Sequence, residues 1–171
     1  MDKDRSLREH LLYLLRGGGA HVNFDDAVKD FPEELFNAKA DGVPYTPWQL
    51  LEHMRIAQWD IVEFSRDAAH VSPPWPEGYW PAPGGEADRA AWDGSVEAVR
   101  AGLGRMAAMV EDPATDLHAP IVHGTGQTVL REALLVADHN AYHLGALVTL
   151  RRVLEAERGG RGGGAAGREG S

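Results

Sequence analysis

Apolar residues recur along most of this chain at the three- and four-residue spacing of amphipathic helices, and no stretch shows convincing strand-like alternation. Leu7, Leu11, Leu12, Leu14 and Leu15 form one broad apolar face, which Gly17, Gly18 and Gly19 bring to an end. Asn23 is placed to cap a second piece carrying Phe24, Val28 and Phe31, with Asp25 and Asp26 in its first turn and a stop near Pro32. The cleanest start signal is Thr46-Pro47-Trp48-Gln49: a capping threonine, a proline where its missing N–H costs nothing, and a glutamine that closes a capping box. The stripe Leu50, Met54, Ala57, Ile61, Phe64 follows and predicts a helix to about Ala68.

Ala90 to Val110 repeats the pattern through Trp92, Val96, Val99, Leu103, Met106 and Val110. Gly94, Gly102 and Gly104 weaken that helix by about 1 kcal/mol each unless close packing requires them. The longest helix is expected from about Thr128 to Glu157, with Leu130, Ala133, Leu134, Ala137, Leu144, Leu147, Val148 and Leu154 inward. Between the second and third long helices, residues 70–85 hold five prolines, which forbid a helix, together with Trp75, Tyr79 and Trp80. Such a loop is expected to pack back over the body, as a partial lid or as part of a subunit contact. The expectation is an all-α, four-helix bundle over residues 1–157, with additional short helices, followed by a disordered Gly-rich tail over residues 158–171.

Composition narrows the functional classes. At 171 residues the chain suits one sizeable core. Its 17 basic against 26 acidic residues give a formal charge of −9, which disfavours nucleic acid or an anionic membrane as a partner. No cysteine is present, so thiolate metal sites and a cysteine nucleophile are excluded. The absence of a signal-like N-terminus and of an apolar run long enough for a span leads to the expectation of a cytoplasmic protein.

The chemistry rests on eight histidines. His139 and His143 stand four residues apart on the longest helix and so share one face; His53 lies beside the inward stripe of the helix that begins at Pro47. Together they make a candidate three-imidazole metal site with positions left for water or substrate. The bland alternative is two partly buried histidines hydrogen-bonded to neighbours, but burying imidazoles side by side is unfavourable unless something uses their nitrogens. The pair is not HExxH, since Asn140 stands where the metalloprotease base would be Glu. Asp60, seven residues beyond His53, is a candidate to orient a ligand or act as a base; Glu132, seven before His139, has the same status, and His21 is a candidate for a cavity mouth. There is no P-loop, dinucleotide fingerprint, EF-hand loop or G-x-S-x-G elbow.

The segments Tyr45-Thr46-Pro47-Trp48-Gln49-Leu50-Leu51-Glu52-His53 and Asp138-His139-Asn140-Ala141-Tyr142-His143-Leu144-Gly145 resemble the DinB-like superfamily, over essentially residues 5–155. The resemblance implies an up-down-down-up four-helix bundle with a long crossover, often a homodimer, with a divalent metal on three histidines. Here those would be His53, His139 and His143, holding zinc or nickel, with iron or manganese as further options. It also implies a small-molecule substrate, with transfer reactions that use low-molecular-weight thiols among the family's activities. A non-catalytic dimeric bundle and a metal-dependent hydrolase are the competing readings.

Overall fold

The computed structural model of the chain describes residues 2–163 and is helical throughout its regular structure. Five α-helices occur in order: α1 (Lys3–Leu15), α2 (Phe24–Val28), α3 (Pro47–Arg66), α4 (Arg89–Glu111) and α5 (Val129–Gly163). Single 3-10 turns lie at Glu33–Leu35 and Glu77–Tyr79. Among the described residues there is no strand, only a bridge between Pro120 and Thr128, and no helix is long and apolar enough to cross a membrane.

Local chemistry accounts for the helix ends. The capping box at Thr46 forms in full: the Gln49 amide N–H donates to Thr46 Oγ1 at 3.1 Å, and the Thr46 N–H donates to Gln49 Oε1 at 3.0 Å. Asn23 Oδ1 caps α2 through the Asp26 N–H, and Asp88 caps α4 through the Ala91 N–H. α1 starts at Lys3 rather than Leu7, because Asp2 caps a polar first turn that carries no hydrophobic periodicity. α2 is a single short stretch that ends at Val28, and Phe31 packs after it. α5 continues past Glu157 through Gly159 and Gly160, which were expected in the tail; residues 164–171 lie outside the described residues. The Arg8 guanidinium donates to the carbonyls of Val110, Asp112 and Thr115, covering orphan acceptors at the end of α4. Arg151 does the same beyond α2, donating to the carbonyls of Lys29 and Asp30.

α3 packs against both α4 and α5, and so does α1. The contacts of α3 with α4 ascend together in number: Ser95 Oγ donates to Glu52, Gln58 Nε2 to the Val99 carbonyl, and Arg105 faces Glu63. Those of α3 with α5 run the opposite way, His53 meeting His143 and Gln58 meeting Asn140. One apolar cluster gathers Leu50 and Leu51 with Trp92, Phe36, Leu147 and Leu150, where Trp92 stacks on Phe36 at 4.1 Å. A second gathers Val62 with Met106, Val110, Ala133 and Val136. Reading along α3 and α5, the stretch between these clusters carries His53, Gln58, His139, Asn140 and His143. The interior therefore carries a polar shelf between two apolar blocks, flanked by a smaller apolar cluster of Ala27, Met54 and Leu144, and the candidate site occupies that shelf.

Candidate metal centre

The α3 cap sets the register that turns His53 inward, where it is 5 % exposed. One turn of α5 brings His139 and His143 to face it. The Nε2 atoms of His139 and His143 each lie 3.2 Å from His53 Nε2. Ligand atoms of all three lie within 4.8 Å of one another, and His53, His139 and His143 are the three-residue group among the described residues with that property. An ion bound at 2.0–2.1 Å by two imidazoles of a tetrahedron separates their nitrogens by about 3.3 Å, so the two spacings from His53 are compatible with a shared ion.

The tautomer of His53 is fixed by its other nitrogen, which donates to the Tyr79 carbonyl at 2.7 Å. Its Nε2 therefore presents a lone pair toward the other two rings. Trp80 stacks on the His53 ring at 4.1 Å with an interplanar angle of 7°, and Tyr45 stacks on the outer face of Trp80 at 4.7 Å. This column excludes water from one face of the His53 ring. Burial lowers the His53 pKa, partly opposed by the Tyr79 carbonyl. His139 is pushed down to about 4 by burial and then by His53, with Asn140 and Asp138 acting the other way. His143 is pushed down to about 4 by burial and then by His139 and His53. At neutral pH the three rings are neutral and can offer lone pairs, the state a metal requires.

Of the other sequence candidates, Asp60 does not join the imidazoles. Seven residues along a helix is about 10.5 Å of rise, too far for one carboxylate to reach the same ring. Asp60 instead accepts from the Tyr79 hydroxyl at 2.6 Å and from His70 Nε2 at 2.7 Å. Burial and then Asp60 push the Tyr79 hydroxyl up to about 12, so it stays a donor. Asp60 thus ties the 70–80 segment to α3 at two points, one of them the residue whose carbonyl holds His53. Glu132 is buried and paired with Arg131. His21 is exposed, bonds the neighbouring Val22 carbonyl, and lines a cavity of about 840 Å³ that Asn140 also lines but none of the three imidazoles does.

Sequence reasoning placed Tyr79 and Trp80 in a loop that packs back as a partial lid, but it did not find their contacts with His53, and it did not find His70 at all. That loop does pack back at Trp80 and Tyr79, whereas Trp75 remains 76 % exposed with its edge toward Tyr79. Tyr142, also exposed, stands edge-on to His143.

A helical protein with one buried and two half-buried imidazoles converging from two of its long helices defines the class: an all-α fold with a histidine group that could hold a metal ion. The chain belongs to the DinB superfamily, whose family model matches residues 19–147. It is also similar to a Rhodococcus erythropolis protein named probable 2-heptyl-3-hydroxy-4(1H)-quinolone synthase AqdB2, at 38% identity over 60 residues, which is 33% of this chain. The match spans only 16% of that relative's length. No solved structure gives a significant match.

Proposed function

We propose that this protein is a divalent-metal-dependent enzyme whose ion is held by Nε2 of His53, His139 and His143. The observation that carries the reading is the pair of 3.2 Å spacings from His53 Nε2 to the other two Nε2 atoms, with a tautomer at His53 that turns its lone pair inward. Zinc or nickel suits a set of three imidazoles best, with iron and manganese as further options. When bound, such an ion supplies Lewis-acid activation of water or of a low-molecular-weight thiol. The protein's own part is to hold His53 through the Tyr79 carbonyl, to shield it with Trp80, and to offer an aromatic approach at Trp75 and Tyr142. Transfer to a small molecule from a thiol is the preferred reaction class, and hydrolysis is the alternative outcome. The 60-residue likeness to the quinolone synthase covers too little of that protein to carry its activity over.

The same reading includes an up-down-down-up bundle acting as a homodimer. Ascending contacts between α3 and α4, and descending ones between α3 and α5, support the down-down-up part. Elemental analysis of tag-free protein tests the site: one equivalent of metal is expected in the wild type and loss in His53→Ala, His139→Ala and His143→Ala. Metal at wild-type levels in any variant removes that residue from the ligand set. A thiol-conjugation screen with metal-loaded protein then separates transferase from hydrolase: no conjugate formed, but model esters or amides hydrolysed, overturns the transferase choice.

A further inference from the structure

Two buried side-chain polar atoms among the described residues have no hydrogen-bond partner, and they belong to adjacent residues: His139 Nδ1 and Asn140 Oδ1. The orientation of Asn140 follows from a chain of bonds that starts at the backbone. The Val99 carbonyl can only accept, so Gln58 must present its NH₂ there, at 2.7 Å. Gln58 Oε1 is then left to accept, and Asn140 must give it Nδ2, also at 2.7 Å. Asn140 Oδ1 is consequently an acceptor, held without freedom to flip. A buried acceptor left unpaired is costly, and the other unpaired atom, on the adjacent residue, is a ring nitrogen that becomes an N–H when the other nitrogen keeps its lone pair.

We infer that these two unpaired atoms are each other's partners and that Asn140 is a positioning residue for the metal centre: its Oδ1 accepts the His139 Nδ1–H once the ring carries its proton there, so that His139 Nε2 faces the shared point with its lone pair free. This rests on the metal-site reading and deepens it. The Tyr79 carbonyl does the same for His53 from the opposite side. With both tautomers set, two lone pairs face each other across 3.2 Å, an arrangement that a cation relieves and that no hydrogen bond between these two nitrogens can satisfy. Asn140, at the place where HExxH would carry its catalytic Glu, thus has an orienting role in place of a basic one. The anchor of the relay is remote from the imidazoles: Gln58 passes close over Gly102, where a Cβ would collide with its amide nitrogen.

The test combines ring tautomers with affinity. Long-range proton–nitrogen NMR on apo wild-type protein is expected to show His139 protonated at Nδ1, which needs neither a variant nor bound metal. Cobalt(II) titration is expected to show binding weakened about 10- to 100-fold in Asn140→Leu, the usual effect of removing a ligand's outer hydrogen-bond partner. Gln58→Leu, which leaves His139 and Asn140 in place, is expected to weaken binding in the same direction. His139 protonated at Nε2 in the apo protein, or Asn140→Leu binding cobalt as the wild type does, overturns the inference. Wild-type protein that binds no cobalt, with Nδ1 protonated, instead overturns the metal-site reading and leaves only the hydrogen bond standing.

Discussion

Acidification separates this site from an ordinary cluster of surface histidines. An imidazole at its usual value near 6.5 is protonated about ten to one at pH 5.5, so each such ligand makes a metal compete about 11-fold harder, and two of them about 120-fold. His139 and His143 instead sit at about 4, held there chiefly by burial and then by the neighbouring imidazoles. At pH 5.5 a group with a pKa near 4 is only about 3% protonated, which leaves almost no competition. His53 is shifted in the same direction. Cobalt or zinc affinity, measured by competition titration at pH 7.0 and pH 5.5, should therefore fall by less than about ninefold, the limit that an unshifted His53 alone would set, against the roughly 600-fold loss of three unshifted ligands between those two pH values. A loss near 100-fold would refute the claim that these rings are held neutral by the fold.

The same shifts act on folding without metal, and their sign is fixed by linkage. The folded values of His139 and His143 lie below the unfolded one of about 6.5, so between about 4 and 6.5 the unfolded chain binds more protons. Their contribution to stability is fully present above about 6.5 and is lost as the pH falls toward about 4. Metal-free protein should accordingly melt at progressively lower temperature from pH 7 to pH 4.5. In His139→Ala/His143→Ala that slope should flatten; an unchanged slope would assign the acid sensitivity to other groups.

Metal at a hundred times its dissociation constant should stabilise the wild type by about 2.7 kcal/mol, read as a thermal shift, and the shift should vanish in His53→Ala, His139→Ala and His143→Ala. Within α4, Gly104→Ala should stabilise by up to about 1 kcal/mol, since its Cβ meets open space. Gly102→Ala should destabilise despite the same gain in helix propensity, because Gln58 must move off the Val99 carbonyl; urea unfolding of the pair gives opposite signs or rejects the relay. Asp60→Ala leaves the Tyr79 hydroxyl and His70 without their acceptor, at about 1–3 kcal/mol for each group left buried and unpaired. It should also quicken hydrogen exchange across 70–80, and exchange rates equal to wild type would show that this carboxylate does not hold the segment.

The convergence of His53, His139 and His143 was legible because each position depends on a rule that is local. A capping box fixes where α3 begins, and with it the direction of His53; helical spacing alone places His139 above His143. The partners of those rings follow no such rule. Tyr79 reaches His53 with a backbone carbonyl, a group every residue owns, so nothing in its side chain announces the bond. Asp60 lay on the expected face, yet face periodicity ignores height along the axis, and two turns put it against Tyr79 and His70 instead of a ligand.

Gly102 shows the same limit in energetic form. Propensity assigns equal cost to Gly94, Gly102 and Gly104, while the structure leaves open space at the first and last and seats a buried glutamine on the middle one. The benefit of that glycine lies in a side chain 44 positions earlier and, through it, in Asn140 beside a ligand. Helix propensity is a property of one position, whereas the polar shelf is held by pairs drawn from three helices. A substitution scan that scored each position by its own helix would therefore rank Gly102→Ala with Gly104→Ala, and the two must diverge if the shelf orients the metal centre.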